Sequence, residues 1–311
     1  MTALEIPDRV LFFPVTAFDD RDRVDEELVA RHVADRVADS PGAVFAACGT
    51  GEFHALSLDD YRAVVRASVA ATDGAVPVLG GAGGPLGHAL ACARTAAEEG
   101  ADGLLVMPPY LVGAPQEGLV AYVEQIAAET ELPIIAYHRA NAQFTPESVR
   151  RLLQNPRVVG IKDGAGDLAV AQQFVLEAER SGREILFFNG LLTAEMTQAA
   201  YSAIGIPMYS SAAFAMAPTA TASFFTALRG DDDATRRLLL DEFFTPLVAL
   251  RDEVPGFAIS LVKAGVRLGG IPVGSVRAPL TDPTPEQTER LARILARGEE
   301  LAESRAEARA A

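Results

Sequence analysis

Lys162 is the residue whose type and setting best suit covalent chemistry. It ends the run Val158-Val159-Gly160-Ile161, and Asp163-Gly164-Ala165-Gly166-Asp167 follows it. Apolar, β-branched residues bounded by glycine and aspartate predict a buried strand that opens into a loop. The chain has two lysines, Lys162 and Lys263, against many arginines. A guanidinium stays protonated and cannot serve as an amine nucleophile. A lysine amine in an apolar setting loses the solvation of its charged form. Its pKa then falls and its lone pair becomes free to attack a carbonyl. The other reading of the same run is a lysine whose stem packs on the core while its tip reaches water.

Other polar residues stand where apolar runs end. Gly49-Thr50-Gly51-Glu52 offers a hydroxyl and accessible backbone N–H groups, a cradle for a carboxylate or an ordinary tight turn. Tyr137 closes the run before Lys162 and has the phenol of a proton shuttle, or of a core-edge aromatic with a wet hydroxyl. His138 follows it; if the strand continues, His138 points the opposite way, so it is read as a loop or outer-layer residue. Arg139, Asn189 and Ser211 are further candidates to contact substrate. The glycine-rich stretch Gly80-Gly81-Ala82-Gly83-Gly84-Pro85 fits neither G-x-G-x-x-G nor the phosphate-loop pattern, so it reads as a flexible loop entering a helix. The histidines are scattered and no H-E-x-x-H or G-x-S-x-G occurs, which argues against a metal hydrolase or a serine-elbow hydrolase.

These residues need a scaffold that gathers strand ends. Strand-like runs lie at 10–18, 43–48, 76–80, 103–107, 133–137, 158–161, 185–188 and 206–209. Segments of helical period separate them, at 25–38, 58–71, 85–99, 116–130, 145–153, 168–180 and 193–202, with an eighth near 217–228. Ser57 before an acid pair and Thr145-Pro146-Glu147 are helix-start signals. Eight β-then-α units with continuous apolar strands predict an α/β fold, a (β/α)8 TIM barrel spanning 1–230. Its strand C-termini would converge on one mouth. Helical segments at 234–251, 256–268 and 285–305 predict a C-terminal helical region over 231–311.

Across 311 residues, 49% hydrophobic and 22% charged content describe a globular protein. A net charge of −15 argues against nucleic acid and anionic membrane surfaces as partners. No leader pattern or apolar span is evident, and two cysteines make no disulfide framework, so a cytoplasmic location is expected.

Together the motifs are more specific than any one of them. The order is Gly-Thr-Gly-Glu after the second strand run, Pro108-Pro109-Tyr110 after the fourth, Tyr137 after the fifth and Gly160-Ile161-Lys162-Asp163 in the sixth. The chain resembles the dihydrodipicolinate synthase and N-acetylneuraminate lyase superfamily of Schiff-base barrels over nearly its whole length. Phe13-Pro14-Val15-Thr16, Tyr137 to Ala142, Tyr209 to Ala212, Lys263-Ala264-Gly265 and Val276 to Asp282 make it similar to the 5-dehydro-4-deoxyglucarate dehydratase branch. The resemblance implies that Lys162 forms the Schiff base, that Tyr137 shuttles protons and that Thr50 with the Gly49 backbone holds the substrate carboxylate. It also implies no cofactor, a small keto sugar diacid as substrate and a homo-oligomer, dimer or tetramer. Leu111 and Gly49 replace residues of the synthase group's tyrosine relay, which puts synthase activity in doubt. Ala215 stands where the dehydratase pattern has Asn.

The implied reaction converts the diacid to 2,5-dioxopentanoate, CO2 and water through an imine on Lys162, with no metal needed. The distal carboxylate must leave as CO2, so hydroxyls and amides suit it better than a salt bridge. Asn189, Ser211 and Arg139 are the candidates to face it. A class I aldolase acting on a 2-keto-3-deoxy sugar acid, and a non-catalytic sugar-acid binding protein, are the alternatives.

Overall fold

The computed structural model describes residues 4–310, with side chains as far as Arg305. Eight parallel strands close into one barrel in chain order. They are β1 Leu11–Phe12, β2 Ala43–Ala46, β3 Val78–Gly84, β4 Gly103–Pro109, β5 Ile134–His138, β6 Val158–Asp163, β7 Leu186–Asn189 and β8 Met208–Ser211. β8 returns to β1 through Leu11↔Ser210 and Phe12↔Ser211. Eight helices follow the strands: α1 Glu26–Ala38, α2 Leu58–Thr72, α3 Leu86–Glu98, α4 Gln116–Ala128, α5 Pro146–Leu152, α6 Leu168–Ser181, α7 Gln198–Ala203 and α8 Pro218–Arg229. Beyond them run α9 Asp233–Leu239, α10 Thr245–Arg251, α11 Phe257–Leu268 and α12 Pro285–Ala310.

Local chemistry sets the helix starts. Ser57 and Asp60 form a reciprocal capping box at α2. Thr145 accepts from the Ser148 N–H ahead of Pro146, a residue that needs no N–H partner in the first turn. Two apolar layers result. Leu11, Phe13, Phe45, Leu79, Leu105, Ile135 and Phe188 fill the barrel interior. A larger core lies between the barrel and its helices.

Several stretches differ from expectation. The glycine stretch read as a flexible loop is strand instead: β3 runs through Gly84, and a Cβ on Gly80, Gly81 or Gly83 would lie under 3 Å from Tyr61, the Ala47 carbonyl or Met107, so its glycines allow close packing within the sheet. The first strand pairs at two residues only. Pro14 has no N–H to offer a neighbouring strand, and the chain turns to a bridge between Phe18 and Val24. β6 runs on through Lys162 to Asp163 and β5 through His138. The helix expected over 234–251 is broken by a π turn, Leu240–Phe244. Pro246 follows at once, and its ring would crowd the carbonyl four residues back in an unbroken α-helix.

Candidate active site

Strand register decides which residues share the barrel interior. Tyr137 pairs with Lys162 across β5 and β6, and Lys162 pairs with Phe188 across β6 and β7. Alternation puts these three side chains on the inner face. The next row, His138, Asp163 and Asn189, faces the helices. His138 is buried edge-on against Phe174 of α6 at 4.9 Å, and its Nδ1 accepts from the Phe144 N–H at 2.9 Å. Its place in the outer layer agrees with the reading from sequence.

Lys162 lines a cavity of about 270 Å³ at the C-terminal mouth of the barrel, with Phe13, Thr50, Tyr137, Arg139 and Ser210 in its wall. Its side chain is almost wholly buried, at 5% exposure. Nζ lies 4.0 Å from the Phe13 ring centre, 4.4 Å from that of Tyr137 and 5.5 Å from that of Phe188. Aromatic faces stabilise a cation but do not replace its hydration shell. Burial therefore lowers the amine pKa from 10.5 to about 7; the Cys48 thiol opposes this and the Arg139 charge adds to it. The same rings favour the cation that an iminium would bring.

The direction of this shift gives a pH prediction. Depression means the neutral amine accumulates as pH rises through about 7. Adduct formation between Lys162 and a keto acid is expected to rise about tenfold per pH unit below 7 and to level off near pH 8. Borohydride trapping at fixed times across pH measures it. A rise continuing beyond pH 9 would show an amine that keeps its ordinary pKa.

Tyr137 is held at both sides. Its hydroxyl donates to the Gly190 carbonyl at 2.9 Å and accepts from Arg139 Nη1 at 2.9 Å. Burial raises the phenol pKa, while Arg139 favours the phenolate. Glycine is required on both neighbours. A Cβ on Gly164 would lie 2.7 Å from the Tyr137 ring, and one on Gly190 would lie 2.3 Å from Lys162 Cε. Asp163 anchors the loop behind them. It accepts from the Ala165 and Gly166 N–H groups and from the Tyr201 hydroxyl.

Among the residues singled out from sequence, Lys162, Tyr137, Arg139, Thr50 and Gly49 all line this cavity. Asn189 and Ser211 do not, and this corrects the expectation. Asn189 is fully buried on the outer face, where its amide donates to Ala194 O and Thr197 Oγ1 and its Oδ1 accepts from the Leu191 N–H. Ser211 pairs with Phe12, which packs outward against His32, and its hydroxyl accepts from the Phe214 N–H. Gly190, Thr193 and Ser210 occupy the wall instead. Ala215 is buried outside the cavity lining. Phe13 stands in a motif that predicts no role for it, whereas Ser210 reads from sequence together with Ser211 as a small polar group suited to a hydroxyl or a carboxylate.

The barrel, with a buried lysine beside a tyrosine at its mouth, can be set against known proteins. The model of the dihydrodipicolinate synthetase family matches residues 7–297. This chain belongs to that family. This member is 51% identical over 302 residues to a Streptomyces coelicolor protein named "Probable 5-dehydro-4-deoxyglucarate dehydratase 1", with 96% of each chain covered. It is 42% identical to a Paracidovorax citrulli protein named "Probable 5-dehydro-4-deoxyglucarate dehydratase", over 88% of this chain and 89% of that one. The crystal structure of dihydrodipicolinate synthase from Oceanobacillus iheyensis superposes with a TM-score of 0.84 at 20% identity, covering 92% of this chain and 95% of that one. At that identity it speaks for the (β/α)8 fold alone.

Proposed function

We propose that this family member is a lyase converting 5-dehydro-4-deoxyglucarate to 2,5-dioxopentanoate, CO2 and water through an imine on Lys162. The observation carrying the reading is one buried amine, with its pKa held near 7, 4.4 Å from the Tyr137 ring in the barrel cavity. The names of relatives about half identical in sequence support the substrate.

Lys162 attacks the ketone carbon, and the Tyr137 hydroxyl, exchanging its bond to Gly190 for the substrate, gives its proton to the departing oxygen, so loss of water leaves a protonated imine and a phenolate. The imine draws electrons from the adjacent CH2, whose proton passes to the Tyr137 phenolate. Arg139 stabilises the phenolate. The enamine electrons expel hydroxide from the next carbon, and the abstracted proton leaves with it as water. The C–C bond to the distal carboxylate then breaks, CO2 departs, and the electron pair runs back through the conjugated chain to nitrogen. Protonation of carbon and hydrolysis of the imine release the product and the free lysine. Net, one proton is consumed. The iminium takes up the electron pair in both bond-breaking steps.

Thr50 and the Gly49 backbone receive the carboxylate beside the ketone. The hydroxyls of Thr193 and Ser210 replace Asn189 and Ser211 as the groups facing the distal end. A Tyr137→Phe variant is expected to turn over about 10²- to 10⁴-fold more slowly while still forming the borohydride-trapped adduct. Unchanged turnover would remove Tyr137 from proton transfer.

The assignment is tested by supplying 5-dehydro-4-deoxyglucarate and measuring CO2 and 2,5-dioxopentanoate, expected in equal amounts. Pyruvate in their place would favour the aldolase. In the same proposal, residues 1–230 carry the chemistry and 231–311 brace it. The protein is read as cytoplasmic, with no described helix long and apolar enough to cross a membrane. It is also read as a homo-oligomer, because Tyr110, Leu111 and Val112 expose contiguous apolar surface. A single monomeric species in sedimentation would contradict that last point.

A further inference from the structure

The chain's other lysine ties the carboxylate turn to its C-terminal helices. Lys263 of α11 and Glu52 are both fully buried, with Nζ and Oε1 2.7 Å apart. The other Glu52 oxygen accepts from the Arg277 N–H at 2.7 Å. Lys263 Nζ and the Arg277 guanidinium lie 4.1 Å and 4.0 Å from the Phe18 ring centre. Glu52 ends the turn that carries Gly49 and Thr50, and Thr16 Oγ1 donates to the Gly51 carbonyl within it at 2.7 Å. Ala47 and Glu52 bracket the turn with φ of 50° and 60°. Non-glycine residues hold such angles only where their surroundings over-determine them.

A buried ion pair is a poor device for stability alone, since apolar residues of similar volume serve as well. It does fix geometry, because each charge must meet its partner. Here that geometry is the turn whose Thr50 and Gly49 face the cavity.

We propose that Lys263 is a positioning residue for substrate. By holding Glu52 it sets the Gly49–Thr50 turn in the shape that receives the carboxylate beside the ketone. This rests on the reading of that turn as the carboxylate subsite.

The test uses the full-length protein, borohydride trapping and two ketones. Pyruvate carries a carboxylate beside its ketone; hydroxyacetone does not. Lys263→Met, Glu52→Gln and the double variant are compared with the unsubstituted protein. The double variant leaves no lone buried charge and guards against misfolding of the single ones. It also keeps the bond from the Arg277 N–H, so it reads the loss of Lys263.

In the double variant the pyruvate concentration for half-maximal adduct on Lys162 is expected to rise about tenfold or more. The maximal adduct and the hydroxyacetone curve should stay within about twofold of the unsubstituted protein. An equal loss for both ketones would overturn the proposal in favour of a merely structural pair. An unchanged pyruvate curve, or a double variant that does not fold, would also overturn it. If the unsubstituted protein trapped neither ketone, the imine reading itself would fail, and that result is distinct from the others.

Discussion

Lys162→Met is expected to abolish turnover, by at least about 10⁴-fold, while leaving the fold intact. The thioether matches most of the lysine stem in volume and shape, so Phe13, Tyr137 and Phe188 keep a packing partner. It also removes an amine whose charged form the site disfavours. Lys162→Arg is expected to fail as completely, although it restores the charge, because guanidinium has no free lone pair to give. Circular dichroism and a melting curve check the fold; steady-state rates check the activity. Residual turnover within tenfold of the unsubstituted protein would exclude a covalent role.

Gly190→Ala is expected to lower turnover by about a hundredfold or more, and to cost about 1–3 kcal/mol of stability through overpacking. The added Cβ would sit 2.3 Å from Lys162 Cε and 2.7 Å from Cγ. It would also lie 3.0 Å from the Asp163 carbonyl, so the buried lysine must change rotamer and the loop backbone must give as well. The displaced amine leaves both the attack position and the Tyr137 ring. Gly190 also accepts the Tyr137 hydroxyl and donates to the Asp163 carbonyl, so one methyl disturbs both reacting groups. The trapped adduct should form more slowly at every pH. A variant with unchanged rates would mean that the amine's observed position is not the reacting one.

The barrel was legible because its strand and helix periods alternate eight times, and because parallel strands buried on both faces are apolar throughout. That same property hid the facing of individual residues. Phe187 and Phe188 read alike, although only Phe188 fills the barrel interior. Nothing local showed that Asn189 falls on the helix side. Ser210 and Ser211 are chemically identical neighbours, and the strand registers, Phe188↔Met208 with β7 and Leu11↔Ser210 with β1, turn Ser210 inward. Lys162 was found because an amine in an apolar run is unusual. Tyr137 followed because it ends the run before. The pairing of Glu52 with Lys263 spans 211 positions, and two charges so far apart read as surface groups. The available signal was composition. In a chain with two lysines, a lysine inside the apolar stretch Leu261 to Val266 called for a buried partner.

The central claim is a covalent bond between Lys162 and substrate. Sodium borohydride added during turnover of 5-dehydro-4-deoxyglucarate, followed by digestion and mass spectrometry, measures it directly. The expected result is inactivation in step with a reduced adduct on the peptide containing Lys162, absent from Lys162→Met. Sustained turnover with Lys162 unmodified, or an adduct confined to Lys263, would contradict it.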